Sequence, residues 1–226
     1  MNIPNSEQNN AVALRTRLRQ ARAELPEAQR SRGGLLMRGR LYTWLNAVRE
    51  QAAKRGTPAP ASVAAFWPLD HEPDMRPLLE QWVQAGVAVA LPAIRTAGAP
   101  LEFRAWKPGD TLSAGPYNVQ EPTPDRPALR PDVILVPTLG YTVQADRLGY
   151  GGGYYDRTLA DLRQAGHEFT AIGVAWNEGL LDAGYQPAAH DVRLDAVLTP
   201  DGWVPEPPLL GPGAPSGRTM GSYVLR

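Results

Sequence analysis

Arg147–Arg157 reads RLGYGGGYYDR, with Gly149, Gly151 and Gly153 at alternate positions and Gly152 in one of the gaps. A backbone this bare serves a turn that needs positive φ or a surface that another group approaches closely. Upstream, Asp132–Pro137 (DVILVP) is a short apolar run rich in β-branched residues; downstream, Tyr155, Leu159 and Leu162 recur at helical spacing until Gly166. The glycines are therefore expected between a strand and the start of a helix.

Free amide N–H groups at a helix N-terminus, reinforced by the helix dipole, favour an anion such as a phosphate. Arg147 adds a fixed positive charge on one side. Asp156 falls in the first helical turn, where a carboxylate either complements the dipole or holds a divalent metal. Two other phosphate signatures are excluded. No Lys-Ser or Lys-Thr follows a glycine, as a P-loop requires, and Tyr154 stands where a dinucleotide fingerprint needs its third glycine.

The 226 residues, 43% hydrophobic, suffice for one large domain or two small ones with a buried core. The absence of cysteine excludes disulfides, zinc-thiolate sites and thiol nucleophiles, and a cytoplasmic setting is the simplest expectation. The start MNIPNSEQNN has no apolar core of a signal peptide, and no long apolar run predicts a membrane span. Basic and acidic residues balance at 23 each, so no overall field selects nucleic acid or a membrane. Between Arg15 and Arg55, however, eleven basic residues face only Glu24, Glu27 and Glu50. That local excess either keeps a helical surface solvated or attracts a polyanionic ligand.

Along the chain, residues 1–10 read as a loose polar tail. Leu14, Leu18, Ala21 and Leu25 mark one helical face ended by Pro26, while Arg15, Arg19 and Arg22 share another. A second helix is expected over 34–54. Val63–Leu69, a helix over 77–85 and Val87–Leu91 make a βαβ unit, which implies parallel pairing and a ligand edge at the strand carboxyl ends. Trp67, Asp70, Glu72 and Asp74 fall at that edge, as does the glycine loop. Further strands are expected at Leu101–Trp106, Phe169–Ala175 and Leu194–Thr199. The Pro/Gly-rich stretch 201–226 reads as a loose tail.

The string RLGYGGGYYD resembles the signature of the 5-formyltetrahydrofolate cyclo-ligase (methenyltetrahydrofolate synthetase) family, and the similarity runs from about Ala11 to Thr199. It implies one α/β domain over 11–200, three layers deep, with a mostly parallel central sheet flanked by helices. It also implies ATP- and Mg²⁺-dependent conversion of 5-formyltetrahydrofolate to 5,10-methenyltetrahydrofolate, by a monomer acting on small molecules. On this resemblance Arg15, Arg147 and the stretch Gly149, Tyr150, Gly151, Gly152, Gly153, Tyr154 and Tyr155 bind ATP. Asp156 and Asp191 organise the metal, and Arg147, Tyr154 and Asp156 act in catalysis. The folate is expected against Trp67, Glu72, Trp106, Tyr117, Tyr150 and Tyr154. Glu72 suits the pterin because two N–H donors can pair with its two oxygens. Asp156 is expected to matter for turnover and little for stability.

The chain departs from the family pattern in places. Leu14 and Arg15 match the family's KxxLR motif, but its Lys position is Ala11; a position that carries Arg or Lys in some relatives is Tyr150 or Gly152 here. A relative that binds nucleotide or folate without efficient turnover would show such losses. The intact stretch from Arg147 to Asp156, with Glu72 and Asp191, argues for an enzyme.

Overall fold

The computed structural model describes residues 5–209. Helix α1 (Asn5–Glu24) stops just before Pro26, as its ring requires, and α2 (Glu27–Arg55) follows at once. Helix α1 already includes residues 5–10, which were expected in a loose tail; residues 1–4 lie outside the described residues. Helix α2 also starts earlier than position 34. Gly33 and Gly34 are packing positions rather than a start signal: a Cβ at Gly33 would stand 2.8 Å from the Trp176 ring. Met37, Leu41, Trp44, Leu45, Val48 and Ala52 continue the same buried stripe, and Gly56 ends the helix in the left-handed conformation (φ 67°).

The rest of the fold is β1 (Ser62–Ala64), α3 (Arg76–Gln84), β2 (Ala88–Ala93), β3 (Glu102–Trp106), a small hairpin of β4 (Leu112–Ala114) and β5 (Gln120–Pro122), then β6 (Val133–Pro137). A second small hairpin, β7 (Gly140–Tyr141) with β8 (Arg147–Leu148), precedes α4 (Tyr154–Gln164); β9 (Thr170–Val174), β10 (Ala196–Leu198) and β11 (Trp203–Val204) are the last strands among the described residues. Seven strands form one sheet in the order β11-β10-β9-β6-β1-β2-β3. The five inner strands are parallel, and β3 and β11 pair antiparallel at the edges.

Alternation of side chains across the pleat explains why the inner strands are apolar throughout. Val133 and Leu135 of β6 face the cluster built by α2 and α3, with Leu41, Leu45, Leu78 and Trp82; Ile134 and Val136 face the cluster around Leu159 of α4. Helices thus cover both faces, giving the expected three layers. Strand β1 is shorter than expected because the chain leaves the ladder after Ala65, whose N–H still reaches the Ala90 carbonyl. Pro68 has no N–H to continue it.

The expected tail after position 200 is partly structured. Trp203 and Val204 form the edge strand β11, the Trp203 ring lies 5.8 Å from that of Trp44, and the Trp44 indole N–H donates to the Pro208 carbonyl at 2.9 Å. Burial of the two indoles outweighs the surrounding Pro/Gly composition. Positions 210–226 of that tail lie outside the described residues.

Adjacent strands β1 and β6 lead in opposite lateral directions, β1 to β2 and β6 to β9. Loops leaving two such strands diverge and open a crevice at their carboxyl ends. Helix α1 lies over this edge, with Leu18 packed among Leu139, Leu148 and Leu181.

Candidate functional site

The glycine loop does not follow β6 directly. The β7–β8 hairpin intervenes, closed by the Leu139 N–H to Leu148 carbonyl bond and by a turn in which Thr142 Oγ1 donates to Asp146 at 2.9 Å. Its second strand delivers Arg147 into the interior. There the guanidinium donates to Asp156 at 2.7 Å, with the two side chains only 5% and 10% exposed. Asp156 Oδ1 also accepts from the Val192 N–H at 3.3 Å. Stability therefore does depend on Asp156, contrary to the expectation that it serves turnover alone: its loss would strand a buried cation. Arg147 Nε is buried without a protein partner among the described residues.

Two glycines have specific structural reasons. A Cβ at Gly149 would lie 2.4 Å from Arg147 Nη1, so the ion pair needs a bare backbone there. Gly153 sits at the N-cap of α4 with φ 65°, a conformation that costs other residues about 1 kcal/mol or more. No side chain caps α4. The amides of Gly151, Gly152 and Gly153 donate to no protein acceptor among the described residues. That leaves a row of unpaired donors at a helix N-terminus, the arrangement that accepts an anion.

Helix α1 closes over this loop. Arg15 Nε donates to the Gly149 carbonyl at 2.9 Å, Arg19 to the Tyr150 carbonyl at 3.3 Å, and Arg22 to the Tyr150 hydroxyl. The shared face of Arg15, Arg19 and Arg22 is thus the face that meets the loop. From the other side Arg157 donates to the Gly152 carbonyl at 2.8 Å and stacks over the Tyr154 ring at 4.9 Å. Arg157 carried no distinguishing signal in the sequence.

A cleft of about 570 Å³ joins these parts to the loop after β1, within the usual size range for a small-molecule site. Arg15, Arg147, Gly149, Tyr150, Gly151 and Gly152 line one wall, continued by Gly153, Tyr154, Tyr155 and Asp156, with Asp191 close by. Trp67 and Glu72 line the opposite part, and Tyr117 stands at the rim, 71% exposed and edge-on to Tyr154 at 6.0 Å. Tyr117 and Asn118, at the tip of the β4–β5 hairpin, are both left-handed (φ 60° and 59°). Trp106 is the expected contact that the fold does not bring to the cleft. It is 6% exposed and packs behind Trp67, with ring centroids 6.0 Å apart. Glu121 lines the cleft, buried, with Oε1 accepting from the Ile94 N–H at 3.0 Å; only its place in an EP dipeptide marked it in the sequence.

Glu72 is a buried charge in the cleft, its side chain only 3% exposed. Oε2 accepts from the Leu69 N–H at 2.8 Å, Oε1 accepts from the Tyr150 hydroxyl, and Arg22 stands 3.7 Å away. Burial first, and then the Glu72 carboxylate, pushes the Tyr150 phenol well above its ordinary range, so it remains a donor. Tyr155 is shifted upward for the same two reasons, and its hydroxyl is buried without a partner among the described residues. Its ring lines the cleft and also packs against the Leu159 cluster of the helix core.

Asp156 and Asp191 are two carboxylates of the kind a magnesium ion takes together with waters or phosphate oxygens, and since Asp156 already accepts from Arg147 and from the Val192 N–H, only its remaining lone pairs would face an ion. Both line the cleft beside the unpaired amides, and the Val192 N–H bond to Asp156 ties the two segments together. Asp191 Oδ2 is held by the Ala188 N–H at 2.8 Å, which fixes the carboxylate's orientation.

The family model described as "5-formyltetrahydrofolate cyclo-ligase family" matches residues 7–200. The chain belongs to the 5-formyltetrahydrofolate cyclo-ligase family. The 5-formyltetrahydrofolate cyclo-ligase of Mycolicibacterium smegmatis is 35% identical over 195 residues, spanning 83% of this chain and 92% of the relative. That of Escherichia coli K12 is 33% identical over 144 residues, 62% of this chain and 78% of the relative. Among solved structures, the Aquifex aeolicus 5,10-methenyltetrahydrofolate synthetase superposes with a TM-score of 0.69 at 21% identity, covering 94% of this chain and 97% of the other. The corresponding Mycoplasma pneumoniae protein gives 0.63 at 20% identity, covering 84% and 98%. These likenesses support the cyclo-ligase fold, and the sequence relatives carry the cyclo-ligase activity with it. Among the described residues no helix is long and apolar enough to cross a membrane.

Proposed function

We propose that this cyclo-ligase works as an ATP-dependent enzyme whose cleft holds the triphosphate at the Gly149–Gly153 loop and the pterin of 5-formyltetrahydrofolate at Trp67 and Glu72. The observation that carries the reading is the placement of unpaired loop amides and the Glu72 carboxylate along one cleft of about 570 Å³. The amides of Gly151, Gly152 and Gly153 receive phosphate oxygens, and Arg15 balances their charge, while Arg147 holds the loop from behind through Asp156. Magnesium, when bound at Asp156 and Asp191, neutralises charge on the phosphates. The formyl oxygen attacks the γ-phosphorus, and ADP departs. N10 then closes onto the activated carbon and loses its proton; the carbon–oxygen bond breaks, releasing phosphate and leaving the 5,10-methenyl bridge.

No covalent protein nucleophile is needed, so alignment and charge stabilisation are what the chain supplies. On this reading Tyr154, which lies beside Tyr117, faces the formyl group, and Trp67 gives the pterin an apolar wall. The test is the appearance of the methenyl chromophore from 5-formyltetrahydrofolate, with ATP and magnesium present or withheld. Turnover that needs both is expected; equal rates without nucleotide would refute the reading.

A further inference from the structure

We propose that Tyr150 is a latch on Glu72: the folate must displace its hydroxyl to reach the carboxylate, and that displacement resets the loop that grips the triphosphate. The inference rests on the placement of the pterin at Glu72 proposed above and concerns how that site opens.

The Glu72 side chain is only 3% exposed, and both oxygens are already satisfied, one by the Leu69 N–H and the other by the Tyr150 hydroxyl. Each oxygen keeps a second lone pair, but at 3% exposure a heterocycle's two N–H donors have no approach to them until one protein donor moves aside. The Leu69 amide belongs to the same short turn as Glu72, which also holds the Glu72 N–H to Leu69 carbonyl bond. Tyr150 is the donor from a separate segment, its hydroxyl held only by side chains, Glu72 and Arg22. Its backbone lies between Gly149 and Gly151, the latter at φ 101°, and its hydroxyl reaches Glu72 from 78 positions away in the chain.

Tyr150 cannot move alone. Its ring lies beneath two guanidinium groups, Arg19 at 5.8 Å and Arg22 at 5.5 Å, and its carbonyl accepts from Arg19. Release from Glu72 therefore shifts Arg19 and the peptide adjoining the unpaired amides of Gly151 and Gly152. The two ligand positions share one bistable element, and the coupling must be reciprocal: folate alters nucleotide affinity by the factor by which nucleotide alters folate affinity. Tyr150 is accordingly a positioning residue, acting on one ligand through Glu72 and on the other through its own main chain.

The experiment is calorimetric titration of 5-formyltetrahydrofolate into wild type, Y150F and E72Q, each with and without a non-hydrolysable ATP analogue. Loss of a competing hydrogen bond to a charged group predicts that Y150F binds folate about tenfold more tightly than wild type without nucleotide. The wild-type ratio of folate affinities with and without the analogue should differ from unity, and that ratio should fall to one in Y150F. A merely structural role for the hydroxyl would weaken binding and cannot produce the gain. Y150F affinity equal to or below that of wild type would overturn the latch. E72Q separates the two levels: unchanged folate affinity in that variant refutes the pterin placement and the latch together, whereas weakened binding in E72Q without a gain in Y150F refutes the latch alone.

Discussion

Arg147 and Asp156 form a buried ion pair at 2.7 Å, which joins the last strand before the glycine loop to the first turn of the helix after it. The pair clamps the two ends of the loop that presents the unpaired amides. Its geometry leads to the first expectation.

Asp156→Ala should abolish turnover and also destabilise the fold by about 3–5 kcal/mol, because an unpaired guanidinium remains buried. Asp156→Asn, which keeps a neutral acceptor, should lose turnover with a smaller stability loss. Urea unfolding alongside the activity assay checks both.

Gly149→Ala should force the Arg147 guanidinium away from its partner, since the added methyl would sit 2.4 Å from Nη1. A loss of about 1–3 kcal/mol is expected for overpacking at a tight site, with the Michaelis constant for ATP raised. A variant as stable and active as wild type would show that the guanidinium moves without cost.

Ala11→Lys adds a cation one helical turn before Arg15, which already bonds the loop at Gly149. The Michaelis constant for ATP should fall by about twofold to tenfold, the net worth of about 0.5–1.5 kcal/mol for an ordinary hydrogen bond, because the new cation stands near solvent. An unchanged constant would show that Arg19, seated on the Tyr150 carbonyl, already fills the missing role.

Trp203→Ala should remove the indole packed on Trp44 and loosen the edge strand β11, costing about 2 kcal/mol for a half-buried aromatic. A lowered midpoint in thermal unfolding, with the kinetic constants for both substrates retained, is the expected result.

Burial, before any nearby charge, pushes the phenols of Tyr141 and Tyr185 up to about 12 from an ordinary 10.0. Between those values the unfolded chain releases these protons and the folded chain keeps them, so stability is intact below pH 10 and declines as pH rises toward 12. Ultraviolet titration of phenolate should show both groups ionising late in the folded protein and at the ordinary pH in denaturant.

The inner strands were legible because each carries its own evidence. DVILVP must be covered on both faces, whichever residues do the covering, and Leu78, Leu79 and Trp82 mark α3 by spacing alone. The β7–β8 hairpin and β11 were not legible. Two-residue strands such as Gly140–Tyr141 and Trp203–Val204 have no period to detect, and their pairing depends on partners supplied by the rest of the fold. Trp106 illustrates the reverse error, since an aromatic near a ligand edge reads alike whether it lines the cleft or stands behind Trp67.

By itself, the sequence determined a βαβ unit with parallel pairing, the bare loop at a helix start and the arginine face of α1. All of these are local patterns of spacing and composition, and the chain reports them wherever they occur. Only the tertiary structure decided that Arg147 is spent on Asp156, that Tyr150 closes Glu72 and that Arg22 braces both. Such contacts join side chains far apart in sequence, and their existence depends on how strands β1 and β6 and helix α1 meet at one edge.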